Sequence, residues 1–328
     1  MKITRLLIQI TYRCLNVLWQ YPKFKKIYRN YLNRIKETGQ YGRNLNISVM
    51  VLKNKKQNSI DYSQKRKLTK TNKEINLLAK IWSNRCRDIL LPKIIPKNQY
   101  VCRLDANIID ELIQIRDLNL FLLGNNGVQN NGSILSLDFK DAFRSVNHRW
   151  FNLVMEHLGV PGEFIKFFWN IYKDLGIIIS VNKIKSNIIY NKRGFAEGSA
   201  PSMAAFVMST IALIKGLEKQ LDGIKLADGR LFKVFSFADD QKLALKNAEE
   251  ISKVQDTVIR FEKVSGLMLH RDVSRKKCNV LSFGDHVNYK KWPDWITKTN
   301  KVKIIGAYFL NQGNLELENS NFVKDKCF

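Results

Sequence analysis

"FSFADDQKLAL", Phe235 to Leu245, sets two aspartates side by side between two short apolar runs. The flanking runs are strand-like and the interruption between them is short, which predicts a β-hairpin with Asp239 and Asp240 at its turn. Adjacent carboxylates repel each other and resist joint ionisation unless a cation compensates them. Aspartate also favours turns for purely local reasons, so on this string alone a metal-binding turn and an ordinary acidic turn both stand.

A second acid sharpens the choice. Asp138 closes the short apolar strand "SILSLDF", about a hundred residues upstream. If the two strands are neighbours in one sheet, Asp138, Asp239 and Asp240 meet at one edge. Oxygen-only donors select hard ions, Mg²⁺ first and Mn²⁺ second. Two such ions about 3.5–4 Å apart can activate a hydroxyl and stabilise a leaving phosphate oxygen.

The rest of the chain is basic. It has 328 residues and a formal charge of +26, and residues 1–103 hold 24 Lys and Arg against 4 Asp and Glu, which is +20 of that total. Such a lopsided charge points to a polyanion, because cations that neutralise phosphates release counterions. A merely solvated lysine-rich surface is the alternative. The five cysteines form no CxxC pair and lie near none of the four histidines, which argues against a zinc module and a secreted disulfide scaffold and for a reducing, intracellular setting. The opening "MKITRLLIQITYRCLNVLW" is interrupted by Arg5 and Arg13 and is too short and charged to span a bilayer. It reads as a basic amphipathic helix or a mitochondrial presequence, with nucleus or cytoplasm expected ahead of the mitochondrion.

Residues 3–36 read as one or two basic helices with interleaved aromatics. "KNKKQNSIDYSQKRK" reads as an exposed loop or hairpin, and "KEINLLAKIWSNRCRDILL" as a helix whose spacing puts Ile75, Leu78, Ile81 and Trp82 on one face. A helix fits "ANIIDELIQIRDL", and "NNGVQNNG", Asn125 to Gly132, is a turn cluster marking a subdomain boundary. Beyond it come the strand, the helices "HRWFNLVMEHLGV" and "GEFIKFFWNIYKDLG", a hairpin turning at Asn182 and Lys183, and the long helix "PSMAAFVMSTIALIKGLEKQL". The Asp-Asp hairpin, the helix "AEEISKVQDTVIRFEKVSG" and single strands at "CNVLSF" and "VKIIGAYF" complete it. The expectation is α+β: an antiparallel sheet backed by helices on one face.

Seven strings in register carry a family resemblance over residues 50–310. "LSLDFKDAFRSVNHRWF" is similar to LDFxKAFDxVxH, "VNKIKSNIIYNKRGFAEGSAPSMAAFVMS" to a hairpin followed by RGxxQGxPLSPxLF, and "FSFADDQKLAL" to the YADD block. "FEKVSGLMLHRDVSRKKCNVLSFG" is similar to SGLKLNxxKS and "VKIIGAYF" to K(Y/I)LG. Upstream, "QKRKLTKTNKEINLLAKIWSNRC" and "NQYVCRLDANIIDELIQIRDL" are similar to the two fingers blocks. The chain resembles the reverse transcriptases of non-LTR (LINE-type) retrotransposons. That resemblance implies a right-hand polymerase fold with a ferredoxin-like palm: residues 1–50 as a basic extension, 51–131 as mainly helical fingers and 132–328 as palm. The thumb, an endonuclease domain and a Cys/His knuckle would fall outside this sequence, so poor processivity and no target cutting are expected of this chain alone.

The resemblance implies two Mg²⁺ or Mn²⁺ ions held by Asp138, Asp239 and the Phe139 carbonyl, with Asp240 the less direct acid. Phe143 falls where the family has an aromatic gate against a ribose 2′-hydroxyl, with a core phenylalanine as the alternative. Arg66, with Lys53 or Lys55, matches the cations that grip the incoming dNTP, Glu197 and Gly198 fall in the nucleotide-binding loop, and Ile305 and Gly306 at the primer grip. The partners implied are an RNA template and a DNA primer, or their duplex, together with dNTP; no membrane is implied.

Departures are as informative. Asp141 stands where Lys is usual and Arg144 where Asp is usual, which reads either as a swapped pair or as an altered local field. Glu197 replaces Gln, and Asp105 and Ala106 replace Gly-Arg. The lysine usual after the Asn-like position arrives late, so Lys276 or Lys277 reaches its place only around a short insertion. Two readings remain open: an RNA-directed DNA polymerase, or a decayed or domesticated descendant that binds nucleic acid without catalysis. An RNA-dependent RNA polymerase ranks last, since it would lack the aromatic gate and carry Gly where this chain has Ala238.

Overall fold

A computed structural model describes residues 20–38, 46–54, 65–124, 128–172, 175–182 and 184–313, together with Asn319. The opening apolar segment, Lys55, Lys183, residues 125–127 of the NNGVQNNG cluster and the segment after Gly313 lie outside the described residues, apart from Asn319.

A basic helix, Pro22–Thr38, precedes strands β1 (Ile47–Asn54) and β2 (Lys65–Lys70). Helix Lys73–Arg85 runs on through a π-helical turn, Cys86–Leu90, into Leu91–Ile94, and helix Ile108–Leu123 follows. Strand β3 (Gly132–Leu137) leads to helices Ala142–Ser145, His148–His157 and Gly162–Tyr172. Then come β4 (Gly176–Val181), β5 (Ile184–Lys185), β6 (Ile189–Tyr190) and the long helix Ser202–Gln220. A small hairpin of β7 (Ile224–Lys225) and β8 (Leu231–Phe232) precedes β9 (Val234–Phe237) and β10 (Asp240–Leu245). Helix Glu250–Ser265, β11 (Cys278–Phe283), β12 (Ile296–Lys298), β13 (Lys301–Ile304) and β14 (Ala307–Leu310) complete the described chain.

The central sheet has the order β12-β11-β3-β10-β9. Its middle strand β3 is buried at every position, as a strand covered on both faces must be. Alternation sends Leu135 and Leu137 into the core made with the 202–220 and 250–265 helices, while Ile134 joins Ile115, Leu118 and Leu122 of the 108–123 helix on the other face. The sheet is therefore covered on both faces, where the sequence pattern predicts helices on one. The second cover comes from the 108–123 helix and the β13–β14 hairpin, joined by a hydrogen bond from Asn119 to the Leu310 carbonyl (2.8 Å).

Local chemistry explains the key helix. Asn107 accepts from the amides of Ile109 and Asp110, and Asp110 accepts from the Asn107 amide, a reciprocal capping box worth about 1 kcal/mol. Gly124, at φ 69°, ends the helix in a backbone conformation that favours glycine.

Four other expectations need correction. "VKIIGAYF" is a hairpin, not one strand, because Ile305 (φ 49°) and Gly306 (φ 95°) reverse the chain between β13 and β14. β12, unread in the sequence because it is three residues long, pairs parallel with β11. Ile81 lies on the outer surface, 39% exposed, while Ala79, Trp82 and Cys86 are buried with Ile75; six residues past Ile75 is about 240° around a helix. The side chain of Leu78 lies outside the described residues. Finally, β1 and β2 share a sheet with β4, β5 and β6, so residues 176–190 pair with strands from the segment before the 131/132 boundary.

Candidate active site

The register of the central sheet brings the acids together. Gln241 pairs with Leu137 across β10 and β3, so one further step along the ladder sets Asp240 opposite Asp138. β9 and β10 are joined by the two-residue turn Ala238–Asp239, with Ala238 at φ 56°. That conformation costs a non-glycine residue about 1–2 kcal/mol, so the surroundings must hold it. Two buried amides do so. Gln99 donates to Ser236 Oγ (2.7 Å) and accepts from the Ala238 amide (3.3 Å). Gln241 donates to the same Ser236 Oγ (2.7 Å) and to the Ala238 carbonyl (3.1 Å). Neither glutamine stands out in the sequence, since their shared partner Ser236 lies 137 residues from Gln99.

Burial pushes the Asp239 carboxyl above the usual carboxylate range, and the neighbouring charges of Asp240 and Asp138 push it further. Asp138 meets Lys277 Nζ at 3.3 Å, and Asp240 meets Lys242 Nζ at 3.0 Å. The bridge between Phe139 and Leu269 is bonded through the Lys140 amide and the Asp138 carbonyl, not through the Phe139 carbonyl. Among the described residues no three His, Cys, Asp or Glu side chains are gathered closely enough to hold a metal by themselves. The donor set still fits a hard divalent ion: Asp239 is buried and pressed by the charges of Asp240 and Asp138, and the Phe139 carbonyl follows Asp138 in the chain. A main-chain oxygen and substrate phosphate oxygens would complete such a shell.

The departures from the family pattern have partners. Arg144 Nε lies 3.4 Å from Glu197 Oε1, and its Nη2 reaches the Lys67 carbonyl. Asp141 lies 3.8 Å from Lys67 Nζ. Of the two readings left open for Asp141 and Arg144, the swapped pair is replaced by two ion pairs, each reaching another element. Asp141 begins a helix of only four residues in a left-handed conformation (φ 45°), and the two side chains depart in different directions. Asp105 pairs instead with Arg103 at 2.5 Å.

The residues of the 194–198 loop sit against the same helix. The Glu197 carbonyl accepts from Thr69 N on β2 (2.9 Å), and Phe195 N donates to the Phe143 carbonyl (2.6 Å). Gly198 (φ 95°) is exposed beside Thr69. Phe143 is half-buried and stacks on Phe206 with ring centroids 4.5 Å apart, so it is both a packed ring and a neighbour of the loop. Arg66 is exposed on β2, across from Lys53; strand alternation directs it away from Lys67, the cation of that strand that reaches Asp141. Lys276 occupies a left-handed position closing the turn Val273–Arg275, and that turn absorbs the insertion and returns Lys277 to Asp138. Ile305 and Gly306 form the tip of the β13–β14 turn, with no hydrogen bond to the carboxylates among the described residues.

Behind the turn lies a further acid. Glu111, on the 108–123 helix, is fully buried with neither carboxylate oxygen hydrogen-bonded. Burial pushes its carboxyl up to about 8, opposed by Lys242 and reinforced by Asp240. With the folded value above the unfolded one, the folded chain holds more protons between about pH 4.5 and 8, so stability falls as pH rises through that window. Asp239 acts in the same sense. Urea midpoints at pH 5 and pH 8 should therefore differ less in Glu111→Gln than in the parent; identical differences would mean that Glu111 titrates normally.

Comparisons with known proteins follow this geometry. Residues 53–309 match the family model described as reverse transcriptase (RNA-dependent DNA polymerase). A curated relative, the "Transposon TX1 uncharacterized 149 kDa protein" of Xenopus laevis, is 22% identical over 242 residues, covering 67% of this chain and 18% of its own length. The apo telomerase of Candida tropicalis, truncated from its C-terminal domain, superimposes with a TM-score of 0.52 at 12% identity, covering 88% of this chain and 59% of that one. Telomerase of Candida albicans, in complex with a TWJ fragment of telomeric RNA, gives 0.52 at 11% identity, over 88% of this chain and 48% of that one. At such identities the likeness is one of fold, the right-hand polymerase. The chain spans less than a fifth of its curated relative's length.

Proposed function

The chain belongs to the reverse transcriptase (RNA-dependent DNA polymerase) family, and on that premise we propose that it extends a primer 3′-hydroxyl with dNTPs on an RNA or DNA template, as the polymerase of a LINE-type retroelement. The observation that carries this reading is the convergence of Asp138 with the Ala238–Asp240 turn, close enough for the charge of Asp138 to act on Asp239. Asp138, Asp239 and the Phe139 carbonyl would hold two Mg²⁺ or Mn²⁺ ions, with Asp240 behind them. Bound there, the ions supply activation of the attacking hydroxyl and neutralisation of the leaving pyrophosphate.

The chain's own residues do the rest. The Gln99–Ser236–Gln241 bonds hold the turn rigid, so its carboxylate needs little reorganisation during reaction. Phe143, braced by Phe206, would crowd a ribose 2′-hydroxyl by shape. Of the β2 cations it is Lys67, facing Asp141, that stands toward the triphosphate, while Arg66 and the opposed Lys53 lie on the other face of the hairpin and would grip it only after a movement of the fingers; the β13–β14 tip is suited to steady the primer. The long basic stretch before residue 104 suits RNA or an RNA–DNA duplex. We divide the chain into a basic extension, fingers that include β4 to β6, and a palm on the central sheet. Free Cys86, Cys102 and Cys278 suit a reducing compartment, nucleus or cytoplasm. Among the described residues no helix is long and apolar enough to cross a membrane.

The test is primer extension by purified protein with an RNA template, a DNA primer, dNTPs and Mg²⁺ or Mn²⁺. Extension is expected; failure in both metals with duplex binding retained would favour the non-catalytic binding protein. Mutual pairing of the departures supports the enzyme, because decay does not supply partners. Glu197→Gln should therefore raise the KM for dNTP about three- to fivefold, as loss of a half-exposed ion pair would. The exchange Arg144→Glu with Glu197→Arg should recover part of that loss. An activity gain in Glu197→Gln would identify the acid as damage.

A further inference from the structure

Resting on the catalytic reading above, we propose that Lys277 and Lys242 are stand-in cations of the carboxylate cluster, Lys277 displaced by an entering divalent ion and Lys242 permanent. The two lysines face the same group of acids but differ in their freedom to leave it.

Lys277 Nζ lies 3.3 Å from Asp138 Oδ2, and its side chain is 51% exposed. It follows the left-handed Lys276 at the end of a short turn, so it can swing into solvent without disturbing a packed element. Its bond to Asp138 competes with any cation that takes the same oxygen.

Lys242 is different. Its side chain is 2% exposed, on the face of β10 that looks toward the 108–123 helix, and its Nζ lies 3.0 Å from Asp240 Oδ1. Glu111 approaches the same space from that helix, with both carboxylate oxygens buried and lacking hydrogen bonds, and the charge of Lys242 acts on it. The charge of Lys242 also acts on Asp239. With its side chain 2% exposed and its ammonium on Asp240, Lys242 cannot swing out as Lys277 can without disturbing the packing beneath that helix. It keeps Asp240 turned toward the strand, which leaves Asp138 and Asp239 as the acids open to an ion. Together the lysines lower the formal charge of the three aspartates from −3 to −1, which spares the empty site most of the repulsion and weakens its pull on free divalent ions. Full metal loading then depends on the phosphates that arrive with the nucleotide.

The experiment is direct Mn²⁺ binding by the whole chain without nucleic acid, followed by EPR or calorimetry, with melting temperatures measured in EDTA and in Mn²⁺. Lys277→Gln should bind Mn²⁺ about three- to fivefold more tightly, the effect of removing a half-exposed competitor. Unchanged or weaker binding overturns the displaceable role. Lys242→Met should melt lower than the parent in EDTA and gain more from Mn²⁺; a gain no larger than the parent's overturns the permanent role. If Lys242→Met does not fold, the double variant Glu111→Gln with Lys242→Met removes both buried charges and allows the same comparison. A parent chain that binds no Mn²⁺ even when dNTP is added removes the catalytic reading itself, whereas equal affinities in parent and variants remove only this inference.

Discussion

Asp239→Ala is expected to reduce templated primer extension by at least about 10³-fold in either metal, the several kcal/mol that a lost metal-holding carboxylate withdraws from the transition state. Its effect on folding should have the opposite sign. Burial and two neighbouring acids make the ionised Asp239 carboxylate costly in the folded chain. Removing it relieves that cost without opening the core, since the residue is the second member of a two-residue turn whose shape is held by Gln99 and Gln241. The variant should thus melt at the parent's temperature or above it in EDTA, and should lack the stabilisation by Mn²⁺ expected of the parent. This pairing of dead chemistry with unharmed or improved stability is the mark of a residue kept for function. A variant that retained more than about a tenth of the parent's extension would remove Asp239 from the chemistry.

The parts of this arrangement written in local pattern are legible in the sequence. Asp138 and the Asp239–Asp240 pair each end or interrupt a short apolar strand, and strand length, turn composition and the adjacency of acids are all visible within a dozen residues. What makes them a site is not visible there: it is the register of β3 against β10, which depends on sheet order. Lys242 shows the limit most clearly. Nothing in "ADDQKLAL" marks it as a core residue, yet it is buried with its ammonium on Asp240, because the 108–123 helix that covers that face of the sheet comes more than a hundred residues earlier in the chain. Gln99 is hidden for the same reason. Arg144 and Asp141 stand out as anomalous in the sequence, but their partners Glu197 and Lys67 sit on other elements, so a swapped pair and an altered local field both stay open there. The two-faced sheet escapes the sequence pattern because the 108–123 helix comes before the first palm strand, and its apolar face gives no sign of which layer it covers.

Gly194→Ala is expected to destabilise the chain by about 3 kcal/mol or more and to abolish extension with it. Gly194 begins the loop that carries Phe195 and Glu197, at φ 74°, where any side chain costs about 1–2 kcal/mol. Steric contact costs more than the backbone conformation does. A Cβ there would lie 2.3 Å from the Arg144 Cα, carbonyl carbon and carbonyl oxygen, all of them backbone atoms that cannot rotate away. Three hydrogen bonds fix that approach: Gly194 N to the Val146 carbonyl (2.7 Å), Phe195 N to the Phe143 carbonyl (2.6 Å), and His148 Nε2 to the Gly194 carbonyl (2.8 Å). Separating the two stretches of backbone would break these bonds and carry Phe143, Arg144 and Glu197 away from one another, so the Phe143 ring and the Arg144–Glu197 ion pair lose their places together. Gly229→Ala is the matched control: φ is 88° and nothing lies within 4 Å of the added carbon, so it should cost only the backbone strain, about 1–2 kcal/mol, and leave extension intact. Denaturant midpoints of the two variants should therefore separate widely. Equal shifts would mean that the loop can slide off the 142–145 helix freely, and the close approach of Gly194 to Arg144 would then have no part in holding Phe143, Arg144 and Glu197 together.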